Sequence, residues 1–120
     1  MCYLFFCGEN TVNIPQSITF CSVEDLKREG SVIKFIEEWR DEISAFMVGE
    51  AVFVVSTICP HFGGPLKLVS GTRKIRCEWH SWEFDLKSRK CLTYQTSACL
   101  RNYPFKFNEN NLEVFLYEGA

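Results

Sequence analysis

Each of the two histidines in this chain closely follows a cysteine, and this placement restricts the fold more than any other feature of the sequence. His61 follows Cys59 in the stretch "CPHFGGPL", and His80 follows Cys77 in "CEWHSWEFDL". Fifteen residues separate His61 from Cys77. Thiolates and imidazoles are the side chains that bind zinc and iron. We therefore interpret the two glycine- and aromatic-rich segments as loops that carry metal ligands.

Three interpretations of these two pairs compete. In the first, Cys59 and Cys77 are packed core thiols, but two separate Cys/His pairs on turn-prone loops argue against it. In the second, the pairs hold a structural zinc ion, but the usual pattern for such a site is two cysteines followed by two histidines. In the third, each loop donates one ligand to each of two irons, so that one iron takes both cysteines and the other both histidines. The third interpretation fits the spacing best.

The pattern C-x-H, fifteen residues, C-x-x-H resembles the ligand signature of the Rieske family. A weaker similarity extends over about residues 18–117. The resemblance implies a [2Fe–2S] cluster whose inner iron is bound by Cys59 and Cys77. It implies that His61 and His80 bind the outer iron, which lies nearer the solvent.

Other residues of the two loops are expected to shape this site. Gly63, Gly64 and Pro65 permit a tight loop whose backbone N–H groups can approach the cluster sulfurs. Pro104 is assigned to a third loop that covers the cluster, as in the family. Three aromatic residues are expected to exclude water from the cluster or to pack in the core: Phe62, Trp79 and Trp82.

The resemblance also separates high-potential from low-potential members. High-potential members have an extra cysteine in each loop, which together form a disulfide; here Gly64 and Trp79, or its neighbour Glu78, stand at these positions. High-potential members also have a serine and a tyrosine, two and four residues after the second histidine, where this chain has Trp82 and Phe84. Fewer hydroxyl donors to sulfur lower the potential. We predict a value near the low end of the Rieske range, about −150 mV.

The histidine count restricts the function. A Rieske oxygenase needs a second iron held by two histidines and a carboxylate, and both histidines of this chain are already assigned. The chain is therefore expected to be an electron-transfer protein rather than an enzyme. The resemblance implies that it passes single electrons from a flavoprotein reductase to an oxygenase or similar acceptor. The alternatives are a small Rieske-like subunit of a larger reductase and, less favoured, a zinc-binding structural module.

Apolar residues at a period of two predict a chain made mostly of strands. A single short helix is predicted at 22–30, with Ser22 as N-cap and Gly30 as the stop. Hairpins are predicted at Arg40–Asp41 and at 108–111, and a turn at 87–90. The predicted strands are residues 18–22, 31–39, 42–48, 51–57, 73–78, 82–86, 103–107 and 112–117.

These elements predict an all-β fold, a small antiparallel β barrel or sandwich. The Rieske resemblance adds a cluster-binding subdomain of two loops, at about 57–85, and the whole chain, 1–120, is expected to be one domain.

Composition excludes several classes of protein. The net charge of −2 does not suggest a nucleic-acid partner. Because no apolar run approaches the roughly 18 residues of a membrane span and the N-terminus lacks the features of a signal peptide, the expected location is the cytoplasm.

Seven cysteines, an odd number, exclude a complete set of internal disulfides. A second metal site at Cys2 and Cys7 is disfavoured because no histidine is left to complete it. The five cysteines outside the motif are interpreted as small buried hydrophobic residues: Cys2, Cys7, Cys21, Cys91 and Cys99.

Charge is unevenly distributed along the chain. Residues 1–58 have four basic and nine acidic groups, and residues 59–120 have nine and six. The basic groups near the motif either form an ordinary solvated face or make a basic rim that steers an acidic redox partner. They are Lys67, Arg73, Lys74, Arg76, Lys87, Arg89 and Lys90.

Overall fold

The structure is a computed structural model that describes residues 14–61 and 63–118. Within these ranges the strands form three antiparallel sheets of three strands each, in the orders β1-β9-β8, β2-β3-β4 and β5-β6-β7. The all-β prediction is confirmed, with three small sheets in place of a closed barrel. The elements in chain order are β1 (Ser17–Ser22), α1 (Val23–Glu29), β2 (Ser31–Ile36), a 3-10 turn (Glu37–Trp39), β3 (Asp41–Val48), β4 (Ala51–Ser56), β5 (Leu66–Leu68), β6 (Lys74–Cys77), β7 (Glu83–Asp85), β8 (Phe105–Asn108) and β9 (Asn111–Phe115).

The short helix begins and ends as its sequence predicts. The hydroxyl of Ser22 accepts a hydrogen bond from the N–H of Asp25 at 3.0 Å, which satisfies one of the free donors of the first turn. Gly30 ends the helix in the left-handed conformation, at φ 81°, and its N–H donates to the carbonyl of Leu26. Leu26 is the buried residue that attaches α1 to the sheets.

The turn between β2 and β3 differs from the predicted hairpin at Arg40–Asp41. The strand ends at Ile36 instead of Trp39, and a 3-10 turn precedes Arg40. Trp39 leaves the strand because its ring is buried against Tyr103, with ring centroids 5.6 Å apart, and its indole N–H donates to the carbonyl of Pro15. Tertiary packing therefore outweighs the strand pattern at this position.

The buried side chains form two cores. The first core lies among α1, the β1-β9-β8 sheet and the β2-β3-β4 sheet, and includes Phe20, Leu26, Ile43, Tyr103 and Leu112. The second core lies under the small β5-β6-β7 sheet. Its buried members include Cys59, Leu66, Ile75, Cys77, Phe84, Leu86 and Leu100. Both cysteines of the predicted ligand set therefore lie in the second core.

The remaining cysteines do not all follow the prediction that they are buried. Cys21 is buried in the first core, and this burial raises the pKa of its thiol. Cys91 is only half-buried and Cys99 is exposed, because each belongs to an isolated β-bridge rather than to a strand. The prediction is therefore wrong for Cys99. Cys2 and Cys7 lie outside the described residues. Among the residues that are described, no helix has the length and apolar character needed to span a bilayer.

Candidate metal centre

Backbone hydrogen bonds hold the two cysteine-histidine loops side by side. The first loop, residues 57–65, leaves β4 and returns into β5, and Ile58 and Pro65 form a β-bridge across its base. The second loop, residues 77–82, joins β6 to β7. The N–H of Glu78 donates to the carbonyl of Pro65 at 2.9 Å, and Leu66 pairs with Cys77. The ends of both loops therefore lie at one end of the small sheet.

The two loops have the same backbone turn. In the first, the N–H of Cys59 donates to the carbonyl of Gly64, and the N–H of Gly63 donates to the carbonyl of Cys59, both at 2.8 Å. In the second, Cys77 donates to Trp82 and Ser81 donates to Cys77, again at 2.8 Å. The fifth residue of each turn is left-handed, with φ 77° at Gly63 and 60° at Ser81. The histidine is the third residue of the first turn and the fourth of the second.

The four predicted ligands differ in exposure. Cys59 and Cys77 retain 2% and 0% of their accessible surface. His61 is half-buried and His80 is exposed. The thiols therefore lie on the protein side of the centre and the imidazoles on the solvent side. Over residues 14–61 and 63–118, no three or more His, Cys, Asp or Glu side chains are arranged to hold one metal ion. A Rieske centre does not need such a group, because each of its two irons takes only two protein ligands.

Gly64 has no room for a side chain. A Cβ atom at this position would lie 2.8 Å from Cδ2 of Trp79 and 2.9 Å from Sγ of Cys77. Trp79 is 63% exposed, so its ring covers Gly64 without being part of a core. Gly64 and Trp79 stand where the resemblance places the disulfide of high-potential members. Here the two loops meet through a glycine and an aromatic ring instead.

Trp82 shields one of the imidazoles. Its ring is half-buried and packs against that of His61, with centroids 3.7 Å apart and planes inclined by 31°. On its other side Trp82 contacts Tyr94, with centroids 4.8 Å apart. The prediction that Trp82 covers the site agrees with this packing. The sequence analysis missed Tyr94, whose only signal was an aromatic residue in a polar segment, and Phe62 lies outside the described residues.

A buried polar network that the sequence analysis missed anchors the first loop. The hydroxyls of Ser56 and Tyr103 donate to the two carboxylate oxygens of Asp41, at 2.7 and 2.5 Å. The N–H of Ile58 donates to the Ser56 hydroxyl, and the Thr57 hydroxyl donates to the carboxylate of Glu42. Burial, followed by the hydrogen bond and the charge of Asp41, raises the pKa of Tyr103. A pairing of one buried acid with two hydroxyls from distant segments has no local pattern in the sequence.

An exposed ion pair anchors the second loop. Arg76, one residue before the loop, donates from Nε to the carboxylate of Glu83, one residue after it, at 2.9 Å. This hydrogen bond lowers the pKa of Glu83. Pro104 precedes β8 and its carbonyl accepts from the N–H of Phe115. Its place in a third loop over the cluster stays a prediction.

The fold and the loop geometry can be compared with known proteins. A model of the Rieske [2Fe–2S] domain matches residues 16–104, which include both loops. The chain belongs to the Rieske family. The resemblance seen in the ligand spacing is thus confirmed, and the cofactor of this Rieske domain is a [2Fe–2S] cluster. Among curated proteins, no sequence matches the chain.

Solved structures share the fold of this Rieske domain. The ferredoxin of carbazole 1,9a-dioxygenase from Nocardioides aromaticivorans superimposes with a TM-score of 0.68 at 17% identity, over 84% of this chain and 98% of that one. The plasma membrane Rieske protein of the cyanobacterium Synechocystis PCC 6803 gives 0.68 at 21% identity, over 81% and 97%. The putative small subunit of an NADH-dependent nitrite reductase from Mycobacterium tuberculosis gives 0.60 at 18% identity, over 82% and 92%. Identities this low support the fold alone.

Two buried thiols and two imidazoles are the donor set of a Rieske cluster. The loops of this structure fit such a group, because both thiols are buried in the second core while His61 is half-buried and His80 is exposed. Gly64 fits as well, since it leaves the space beside the Cys77 sulfur free of any side chain of its own. The family and the local geometry therefore agree on the kind of centre.

Proposed function

We propose that Cys59 and Cys77 bind the inner iron of the cluster and that His61 and His80 bind the outer iron. The observation that carries the proposal is the difference in exposure: the thiols retain 2% and 0% of their surface, whereas His80 is exposed. A [2Fe–2S] cluster supplies one-electron reduction and oxidation. In this arrangement the exposed imidazole edge of His80 is the point at which an electron reaches a partner.

The side chains around the ligands have separate tasks in this proposal. Trp82 covers the ring of His61 and excludes water from it. The second core surrounds both cysteines with apolar side chains, which keeps the sulfur side of the cluster dry. His80 is left in contact with solvent, and its neighbour Trp79 presents a large exposed ring beside it.

We propose that the cluster has a low potential. Trp82 and Phe84 supply no hydroxyl at the two positions from which high-potential members donate to sulfur. Phe84 is fully buried in the second core with both cysteines, so water cannot replace the missing donor from its side. A reduced cluster with fewer donors is less stabilised, which lowers the potential toward about −150 mV.

The protein that fits these features is a one-electron carrier that passes electrons from a flavoprotein reductase to an oxygenase-type acceptor. Its similarity in fold to a ferredoxin of a dioxygenase supports this role. The second candidate is the small subunit of a larger reductase, which the similarity to the mycobacterial nitrite reductase subunit favours. A large subunit that co-purifies in stoichiometric amount identifies the second candidate, whereas a chain purified without a partner identifies the carrier.

The deciding experiment is EPR of the reduced protein together with iron and sulfide analysis. We expect two irons and two sulfides per chain and the rhombic signal of a mixed-ligand [2Fe–2S] centre. Voltammetry at fixed pH then gives the midpoint potential. Stoichiometric zinc without sulfide, after expression with iron supplied, contradicts the proposed cluster, and a midpoint well above zero contradicts the low-potential assignment.

A further inference from the structure

One long stretch of the chain is basic without any compensating acid. Residues 86–108 contain Lys87, Arg89, Lys90, Arg101 and Lys106 and neither aspartate nor glutamate. All five basic side chains are exposed. In a protein with a net charge of −2, this stretch is a local reversal of sign.

The small sheet, in contrast, carries both signs of charge. Arg76 is bonded to Glu83, and Lys74 lies opposite Asp85 in the β6-β7 pairing. The seven basic residues that the sequence placed around the motif therefore differ in their surroundings. Lys74 and Arg76 on β6 face carboxylates. Lys87, Arg89 and Lys90 follow β7, where the carboxylate of Asp85 accepts from the N–H of Ser88 and no further acidic residue occurs before Glu109. Lys67 on β5 and Arg73 before β6 belong to neither group.

The uncompensated segment folds into a loop around a cavity. Residues 88–99 line a cavity of about 730 Å³ that is open to solvent on one side. The base of the loop is closed by a bridge between Lys90 and Cys99 and by a hydrogen bond from the N–H of Leu100 to the carbonyl of Arg89. We call residues 87–101 the basic loop. Arg89 and Lys90 line the cavity with hydroxyl and amide side chains, and no carboxylate is among its lining residues.

Arg89 has a backbone conformation that favours glycine. Its φ is 68°, in the left-handed region, where a side chain is disfavoured. The turn explains this conformation: the N–H of Asp85 donates to the carbonyl of Lys90 and the N–H of Arg89 donates to the carbonyl of Asp85, as in the turns that place Gly63 and Ser81 in the same region. The guanidinium of Arg89 is oriented by the side chain of Asn102, whose amide oxygen accepts from Nη1 at 2.7 Å.

The basic loop reaches the metal centre through aromatic contacts. Tyr94, which lines the cavity, contacts Trp82, and Trp82 contacts His61. A molecule bound in the cavity is therefore separated from the His61 imidazole by two rings in tilted contact, those of Tyr94 and Trp82.

We propose that the basic loop is the docking surface for an acidic segment of the redox partner, with carboxylates of the partner paired with Lys87, Arg89 and Lys90. The proposal rests on the proposed electron-carrier function and adds the charge of the partner and the place where it binds. Complementary charge at this position raises the rate of encounter and orients the partner toward the imidazole end of the centre.

The test uses the holoprotein and a fluorescently labelled poly-glutamate peptide, with the dissociation constant measured by anisotropy at low and at physiological ionic strength. We expect salt-sensitive binding to the wild type. Arg89→Gly removes the charge and relieves the left-handed strain, so the variant should fold at least as stably and bind about fivefold more weakly. Lys90→Gln, which leaves the backbone unchanged, should weaken binding to a similar extent.

Arg40→Gly is the matched control. Arg40 is also an exposed left-handed arginine, at φ 53°, but it lies among Glu37, Glu38 and Glu42. Its removal should leave peptide binding unchanged. Equal losses in Arg40→Gly and Arg89→Gly, absence of peptide binding by the wild type, or tighter binding to duplex DNA than to the peptide would overturn the proposal. Peptide binding does not depend on redox activity, so a protein without the EPR signal refutes the proposed function and leaves this test intact.

Discussion

The two cysteine-histidine loops have the same backbone turn, but different side-chain interactions stabilise them; we call these interactions the supports of the loops. Both form the same hydrogen-bonded turn around their cysteine, at matching distances of 2.8 Å. The first loop rests on the buried carboxylate of Asp41, whereas the second rests on the exposed pair of Arg76 and Glu83. The comparison teaches that equivalent metal loops need not share the interactions that stabilise them.

The largest expected effect is the loss of the cluster when the cysteine that begins the turn of either loop is replaced. Cys59→Ala and Cys77→Ala should each abolish cluster assembly, because in the proposed assignment each loop supplies one thiolate to the same iron. Iron and sulfide content and the visible spectrum measure the outcome. His61→Ala and His80→Ala should disturb the outer iron.

Cys91→Ser and Cys99→Ser are the controls and should keep the cluster. A normal cluster in Cys77→Ala would show that the two loops are not equivalent and would refute the ligand assignment.

The supports should differ in their contribution to stability. Tyr103→Phe removes a buried hydrogen bond to the Asp41 carboxylate and should lower the free energy of unfolding by about 1.5–3 kcal/mol. Glu83→Gln removes only an exposed ion pair that solvent screens, so its cost should be clearly smaller than that of Tyr103→Phe. Denaturant unfolding of both variants measures the difference. Equal losses would show that the two supports do not differ in strength.

The stability of these two variants relative to the wild type should depend on pH in opposite directions. Because the folded pKa of Tyr103 is raised, its contribution is present below the unfolded value of about 10 and is lost as the pH rises above it. The pKa of Glu83 is lowered, so its contribution is present above the unfolded value of about 4.3 and is lost as the pH falls. The difference in the free energy of unfolding between the wild type and Tyr103→Phe should therefore become smaller at alkaline pH. The difference between the wild type and Glu83→Gln should become smaller at acid pH.

Substitutions at the left-handed residue of each turn should change the stability of the protein by smaller amounts and in opposite directions. Gly63→Ala should destabilise the protein by about 1–2 kcal/mol, since an alanine at φ 77° is strained although nothing lies within 4 Å of its Cβ. Ser81→Gly relieves the same strain in the second loop, but glycine loses more backbone entropy on folding. We expect a net gain below about 1 kcal/mol in thermal unfolding of the holoprotein. A loss of stability in Ser81→Gly would show that the added backbone entropy and the lost side chain together outweigh the strain that the glycine relieves.

The smallest expected effect is a shift in the reduction potential of the cluster. Phe84→Tyr introduces a hydroxyl on β7, directly after the second loop, at the position of the high-potential tyrosine. The reduced cluster is more negative and gains more from a donor, so the potential should rise by about 30–60 mV, which corresponds to about half to one net hydrogen bond. Voltammetry of both proteins at one pH tests this. A downward shift with an intact cluster would contradict the mechanism.

Local patterns were sufficient to predict the helix, most of the strands and the ligand loops. Ser22 and Gly30 are capping residues whose effect is local. The spacing of the two cysteine-histidine pairs was sufficient to predict the family, while the ligand role of each residue stays a proposal. The Asp41–Ser56–Tyr103 network joins segments up to 62 residues apart, so no local rule could find it. The burial of Cys99 was predicted wrongly for a related reason. Apolar neighbours in the sequence do not show whether a segment lies on the surface of a core or enters the core.

The contact between Gly64 and Trp79 constrains the order in which this domain can acquire new sequence. A Cβ at position 64 would lie within 2.9 Å of two ring atoms of Trp79, so any side chain introduced there first meets the indole. A substitution at 79 that shortens the side chain removes that obstacle and leaves only the nearby Cys77 sulfur. The two sites are thus epistatic. An inter-loop disulfide between 64 and 79 meets fewer clashes when position 79 changes first, although the Cys77 sulfur, 2.9 Å from the new Cβ, must shift in either order.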